Sequence, residues 1–179
     1  MVRSRNLFII SGIAFILAVL LLVINLMTSP PAVSEVPPPG TEPGSFFLTT
    51  SSESISVGGQ YTLQLQVRSD IPANTYSASI IFPPELLQVI EVDYEDGVVD
   101  LWIHEPSFDN EAGTISLAGG SLRQDGFLGE DTLLTFVIEP LQTGTIDLMI
   151  EESAMYAHDG AGTEIPLEET GPLSLTVTN

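Results

Sequence analysis

The feature that most constrains this chain's fold is an alternation of apolar and polar residues that begins after residue 45. In Gln60–Arg68 every second residue is apolar. This period of two is typical of a β-strand with one face in a core and the other in water. The same alternation recurs at residues 76–82, 133–138 and 145–150, and turn signals rich in glycine, proline and aspartate separate the runs. Eight or nine short strands at this spacing predict an all-β protein, a β-sandwich.

The N-terminal part has a different pattern. Residues 7–27 form an apolar run without a charge, long enough as a helix to cross a bilayer core of about 30 Å. Arg3 and Arg5 precede the run and no basic residue follows it until Arg68, so the positive-inside rule places residues 1–6 in the cytoplasm. We therefore predict one uncleaved transmembrane α-helix. The alternative is a cleaved signal peptide, for which residues 32–34 offer a weak cleavage site.

Residues 28–44 are rich in proline and predict an extended spacer at about 3.1 Å per residue. Residues 45–179 are then the folded domain, and the predicted location is a single-pass membrane protein with this domain outside the cytoplasm, on the cell surface. A domain of this size can be stable without disulfides. The absence of cysteine excludes disulfide frameworks, thiolate metal sites and cysteine nucleophiles.

The charge is strongly negative after the apolar run. Only Arg68 and Arg123 stand against 24 acidic residues, and the chain has no lysine. Nucleic acid is excluded as a favoured partner, because its binding depends on basic residues displacing counterions. Cations and basic protein surfaces are better candidates, although an acidic surface kept for solubility or for a salty habitat explains the same composition.

An ordered set of segments within the alternating region resembles cohesin domains and, more broadly, the carbohydrate-binding-module-like superfamily that shares their fold. The resemblance covers about Ser45–Val177. It rests on an ordered set of segments: 56–67, 74–89, Gly113–Leu117, Leu133–Ile138, Gly144–Ile146 and Ala157–Gly160. It implies a nine-stranded jelly-roll β-sandwich. It also implies the usual role of that family, which is to hold a dockerin module borne by another protein, often a polysaccharide-degrading enzyme.

The resemblance has departures that affect recognition. Many dockerin-binding cohesins carry asparagine and aspartate at two outward positions that here are Thr75 and Ser77, and the turn that follows lacks the family's aspartate. The best-known recognition chemistry therefore does not carry over. The resemblance still implies that Thr75, Ser77 and Ser79 point outward from one sheet, with Ile81 in the same row as an apolar residue without an obvious core to enter. We predict this row as the partner-binding surface.

Catalytic and metal-binding motifs are not apparent in the sequence. His104 and His158 are the only histidines and have no metal-ligand spacing. Calcium is the single cofactor candidate, since carboxylates close in sequence around glycine suit this ion. The weak candidate ligands are Asp93, Glu95, Asp96 and Asp100 around Gly97, and Asp159 with Glu164. Neither group matches the twelve-residue EF-hand loop, and a solvated acidic loop is the favoured interpretation.

Sugar binding would use aromatic rings in a row on a flat sheet face. Trp102, Tyr94 and Tyr156 are the candidates, although a lone tryptophan among aliphatic residues is more often part of a core. The sequence thus favours a non-catalytic, extracytoplasmic binding module for a protein partner. The alternatives are a carbohydrate-binding module associated with polysaccharide breakdown and a structural component of an envelope complex that packs through a sheet edge.

Overall fold

The computed structural model describes residues 43–179, and this part of the chain is built from β-strands. Nine strands are present in it: β1 Ser45–Thr50, β2 Ser54–Ser56, β3 Tyr61–Ile81, β4 Leu87–Asp93, β5 Leu101–Asp109, β6 Thr114–Gly120, β7 Phe127–Pro140, β8 Gly144–Ala157 and β9 Leu173–Thr178. The predicted all-β sandwich is confirmed. The predicted transmembrane helix at 7–27 and nearly all of the predicted 28–44 spacer lie outside the described residues. Within residues 43–179 no helix is long and apolar enough to cross a membrane.

The strands form two sheets that share β3. The first half of β3 lies between β1 and β7, and β4 extends that sheet beyond β7. The second half of β3 lies between β6 and β8, in the order β2-β9-β8-β3-β6-β5. All these pairings are antiparallel except β2 with β9, which is parallel.

The passage of β3 from one sheet to the other occurs at the turn signal around Asp70 and Pro72. The pairing of β3 with β7 is interrupted between Ser69 and Ala73. The Ser69 hydroxyl donates to the carbonyl oxygen of Ile71 at 2.6 Å, a local hydrogen bond of the kind that serine makes at bends. Proline at position 72 has no N–H to donate to a ladder, which suits a corner between sheets.

The core lies between the two sheets and consists of the apolar residues of the alternating pattern. Along β3 the buried positions are every second residue in each half, and Leu63, Leu65 and Val67 have no exposed surface. Tyr76 is also fully buried, and its hydroxyl donates to the Ala73 carbonyl oxygen at 3.2 Å. Burial raises the pKa of this hydroxyl. The described residues therefore supply a single core of their own.

Candidate functional site

The outward surface of strands β8, β3, β6 and β5 contains the predicted row. We call this surface the β8–β5 face. Thr75, Ser77, Ser79 and Ile81 are half-buried on β3 and alternate with the buried Tyr76, Ala78 and Ile80. Since successive side chains of a strand point to opposite faces, the row points away from the core, as expected. The structure places these residues in the middle of a sheet rather than at its edge.

The strand register shows what surrounds the row. On β6, Ala118 pairs with Ser77 and Ser116 pairs with Ser79. On β8, Ala154 pairs with Ser77 and Glu151 pairs with Ser79. The centre of the face is therefore a patch of small side chains, made by Ser77, Ser79, Ser116, Ala118 and Ala154.

Larger side chains bound this patch. At one end Thr75 pairs with Tyr156 on β8. On its other side Thr75 pairs with Gly120 of β6, which in turn pairs with Leu101 of β5. Leu101 is 56% exposed. At the other end Ile81 pairs with Met149, which is 43% exposed. Ile81 thus belongs to an apolar end of the face, which explains an apolar residue that has no core to enter.

His104 on β5 extends the face laterally. Its Nε2 lies 3.2 Å from the Oγ atoms of both Ser107 and Ser116. In the described residues the ring has no hydrogen bond to a carboxylate that could orient it as a catalytic base. The other histidine, His158, lies 3.2 Å from the amide nitrogen of Asn74 in a different part of the fold, so the two imidazoles do not form one site.

The charged side chains that border the face are acidic. Acidic side chains lie on its two outer strands, with Asp147 and Glu151 on β8 and Asp109 on β5, all exposed. The only two basic residues after the apolar run are elsewhere and paired, Arg68 with Glu168 at 3.5 Å and Arg123 with Asp131 at 3.4 Å. The small-residue patch itself is uncharged, so the face is a neutral strip between two acidic borders.

The aromatic candidates for sugar binding do not form a row. Tyr94 and Trp102 contact each other edge to face, with ring centroids 5.2 Å apart, and both pack against the core. Trp102 pairs with Gly119, which pairs with the buried Tyr76, so it lies on the inner side of the sheet. Tyr156 instead pairs with Thr75 on the outer face. In the structure Trp102 therefore packs against the core, in line with the favoured interpretation of a lone tryptophan among aliphatic residues, and Tyr156 lies apart from it on the outer face.

The calcium candidates are not gathered into a site. Within the described residues no group of three or more acidic or histidine side chains could hold a metal ion. Several of the carboxylates serve their own loops instead. Asp93 accepts from the backbone N–H of Glu95 at 3.2 Å, and Asp100 accepts from that of Leu122 at 2.9 Å. These loops use carboxylates as turn-forming acceptors.

Asp159 shows the same use of a carboxylate most clearly. The hydroxyl of Thr163 and the backbone N–H of Ala161 hydrogen-bond to it and lower its pKa. Ala161 donates at 2.8 Å and Gly162 at 3.2 Å, both to Oδ1. Glu164, its predicted companion, forms a bridge with Tyr156 through the backbone. The negative charge of Asp159 is therefore stabilised by its own loop.

A β-bulge interrupts β8 beside the centre of the face. Ser77 pairs with Ala154 but Ser79 pairs with Glu151, so Glu152 and Ser153 together oppose one residue of β3. Glu152 has a φ of 48°, the one positive value at a non-glycine residue in the described part of the chain. Such a conformation costs about 1–2 kcal/mol for a residue with a Cβ atom. Bulges of this kind are common next to functional surfaces.

Replacing Glu152 with glycine should therefore stabilise the domain. Glycine adopts positive φ without strain, but it also has more conformational entropy in the unfolded chain, which offsets part of the gain. The free energy of unfolding should therefore rise by up to about 1 kcal/mol. Chemical denaturation measures this. Glu151→Gly is the matched control, since Glu151 is paired in the regular ladder and glycine there should destabilise by about 0.5–1 kcal/mol. Equal losses in both variants would contradict the assignment of strain to Glu152.

Sequence reasoning found the β3 row but missed its neighbours on β6 and β8. Ser116 lies in the Gly113–Leu117 segment of the cohesin resemblance, yet nothing local indicated that this segment and the following Ala118 lie beside β3. Glu151 and the bulge were missed because a bulge depends on the register between distant segments.

With the geometry established, comparison with known proteins defines the class of fold. No protein-family model matches the chain, and no curated protein matches it significantly in sequence. Solved structures of cohesin modules do match. The chain therefore has the cohesin fold, which confirms the resemblance at the level of the fold.

Three of these structures illustrate the match. A cohesin module from a Clostridium perfringens family 33 glycoside hydrolase aligns with a TM-score of 0.63 and 14% identity, over 77% of this chain and 98% of that one. A non-cellulosomal cohesin from the archaeon Archaeoglobus fulgidus aligns at 0.61 and 11%, over 77% and 93%. A type I cohesin–dockerin complex from Clostridium thermocellum aligns at 0.59 and 14%, over 76% and 100%.

Proposed function

We propose that this protein is a non-catalytic, membrane-anchored binding module that holds a dockerin-like protein partner on its β8–β5 face. The observation that carries the proposal is the neutral patch of small side chains bordered by acidic strands. Such a patch lets another backbone approach closely, and it has no charge of its own that must be desolvated on binding.

The shape of the face suits an α-helix of the partner. The outer strands β8 and β5 are three strand spacings apart, about 14 Å, and an α-helix with its side chains is about 10–12 Å in diameter. A helix lying along Ser77 and Ala118 would have Tyr156 and Leu101 at one end and Ile81 and Met149 at the other. Apolar anchors at both ends would fix its position while the small centre sets the distance of approach.

The charges indicate the partner's character. Because the acidic borders contain no lysine or arginine, a partner with basic side chains on both sides of its contact helix is complementary. Complementary charge chiefly raises the association rate and excludes acidic competitors. Salt should therefore weaken the complex mainly by slowing association.

The membrane location belongs to the same proposal. The uncharged segment 7–27 and the basic residues before it support an uncleaved anchor, with the proline-rich spacer holding the domain away from the bilayer. Cell fractionation tests this part. Full-length protein should remain in membranes after an alkaline carbonate wash, and protease added to intact cells should digest the domain. Recovery of a shortened chain in the soluble fraction would contradict the anchor.

The experiment that tests the binding function uses residues 39–179 immobilised on a column. Purified dockerin modules and lysate of the source organism are passed over it with calcium and with a chelator, and bound proteins are identified. We expect a saturable protein complex whose hydrogen-exchange protection falls on β8, β3, β6 and β5. Retention of polysaccharide without protein would favour a carbohydrate-binding module. Protection confined to a sheet edge would favour a structural component.

A further inference from the structure

A cleft of about 300 Å³ lies beside the β8 bulge, on the side of β8 away from β3. It is distinct from the β8–β5 face. Its lining combines two kinds of side chain: the apolar Phe46, Ile150 and Leu167, and the polar Ser153, Glu168, Glu169 and Thr170.

The cleft exists because the free edge of β8 is covered in two places and not between them. Strand β9 pairs with β8 from Gly144 to Leu148. The later segment at Thr163–Ile165 bonds to β8 again, where Ile165 donates to the Met155 carbonyl oxygen at 2.8 Å. Among the described residues no strand pairs with the stretch 149–154 on this side. The bulge lies in this uncovered stretch.

The chain that could have covered the gap is attached to β1 instead. Gly44 donates to the Pro166 carbonyl oxygen at 2.9 Å, and Glu168 donates to the Gly44 carbonyl oxygen at 2.8 Å. The Thr170 hydroxyl donates to the Phe46 carbonyl oxygen at 2.8 Å. These bonds hold residues 166–170 along β1, so one wall of the cleft is fixed by backbone and side-chain hydrogen bonds.

The charges around the cleft are predominantly negative. Glu168 and Glu169 line it, and the exposed Glu152 directly precedes the lining residue Ser153 on β8. Arg68 is 3.5 Å from Glu168, but both side chains of that pair are about half exposed, so the pair is a weak one. In the described part of the chain Glu169 has no salt-bridge partner within 4.0 Å. The chain contains no lysine of its own that could enter.

We infer that this cleft binds a lysine side chain of a partner protein. The four-carbon stem of lysine would cover the apolar surface of the half-buried Ile150 and Leu167, above the buried Phe46, and its ammonium group would reach the carboxylates at the mouth. An apolar floor with an acidic rim matches a side chain with an apolar stem and a cationic tip. A purely apolar side chain would leave the glutamates uncompensated, and an acidic one would be repelled.

A titration with short peptides tests this without any natural partner. The ¹⁵N-labelled unit of residues 39–179 is titrated with a capped Gly-Gly-Lys-Gly-Gly peptide and, separately, with the same peptide carrying norleucine in place of lysine. We expect saturable amide shifts confined to the cleft, with a dissociation constant on the order of 1 mM for the lysine peptide. The norleucine peptide, which keeps the stem and lacks the ammonium group, should bind at least about tenfold more weakly.

Two charge-neutralising variants locate the effect. Glu169→Gln should weaken the lysine peptide about fivefold, corresponding to about 1 kcal/mol. Glu164→Gln removes the same charge from the same loop outside the cleft and should leave the affinity within about twofold, because exposed charges at a distance are screened. The inference is overturned by equal binding of the two peptides, by equal effects of the two variants, or by shifts that are absent or spread over the acidic surface. The proposed function can fail in the column experiment while this titration succeeds, and the reverse also holds.

Discussion

The Ser77→Arg, Ser79→Arg double variant should lose at least about 100-fold in affinity for a partner captured by the wild-type domain, or about 2.8 kcal/mol. Both serines lie in the uncharged centre of the β8–β5 face, beside Ala118 and Ser116. Two arginine side chains there would occupy the space above the small-residue patch and prevent close approach of a partner's backbone. They would also set positive charge against a basic partner, and an unpaired charge buried in an interface costs about 2–5 kcal/mol. Titration calorimetry measures the loss.

The control for this prediction is Gln64→Arg, Gln66→Arg. These residues lie on the same strand at the same spacing, but in the half of β3 that belongs to the other sheet. The change in net charge is the same. We expect the control to bind within about threefold of wild type, since long-range charge effects are screened at physiological salt. A similar loss in both double variants would show that net charge rather than the face governs binding, and would contradict the proposed site.

The second large effect is expected on stability, from Gly113→Ala. Gly113 lies in the turn before β6 with a φ of 71°, and its carbonyl oxygen accepts from the Phe82 N–H at 2.9 Å. A Cβ atom at this position would overlap the Phe82 carbonyl oxygen and approach Pro84 Cδ to 2.9 Å. The backbone conformation alone costs about 1–2 kcal/mol, and overpacking against a fixed backbone adds about 1–3 kcal/mol. We expect the free energy of unfolding to fall by about 3 kcal/mol.

Gly160→Ala separates these two contributions. Gly160 has nearly the same φ, 69°, but no heavy atom lies within 4 Å of its added Cβ. The loss there should be only the conformational cost of about 1–2 kcal/mol. Denaturant unfolding of the two variants gives the difference directly. Equal losses of unfolding free energy in the two variants would mean that the backbone at the β5–β6 turn and at the end of β3 shifts at little cost to admit the added Cβ atom. This contact would then not fix the positions of Ile81 and Thr114 on the face.

The fold was accessible from the sequence because its main determinant is local. In Gln60–Arg68 each apolar residue at an odd position is buried or half-buried, and Leu63, Leu65 and Val67 are fully so. The turn signal at Asp70 and Pro72 also coincides with the corner where β3 changes sheets. A period of two and a residue that cannot continue a ladder act on neighbouring positions, so one sequence suffices to detect them.

The candidate site was only partly accessible. The outward direction of Ser77 and Ser79 was implied by the cohesin resemblance together with the alternation of residues 76–82, and the structure places them on the outer face. The register that sets Ala118 and Ala154 beside them joins segments about 40 and 80 residues distant in the chain, and no local rule specifies which strands become neighbours. The directions of the aromatic side chains also depend on register: Trp102 and Tyr156 are both on strands of one sheet, but the register assigns them opposite faces.

The sequence by itself determined that residues 45–179 form an all-β sandwich with an acidic surface, and it predicts the anchor at 7–27, because periodicity, charge and a long apolar run are properties of contiguous residues. Tertiary structure alone decided the neutral patch, the strained bulge at Glu152 and the cleft lined by Phe46 and Glu169. Each of these depends on how distant strands are paired and where an edge is left uncovered. Pairing is a competition among all strands for partners and burial, and its outcome is a property of the whole domain.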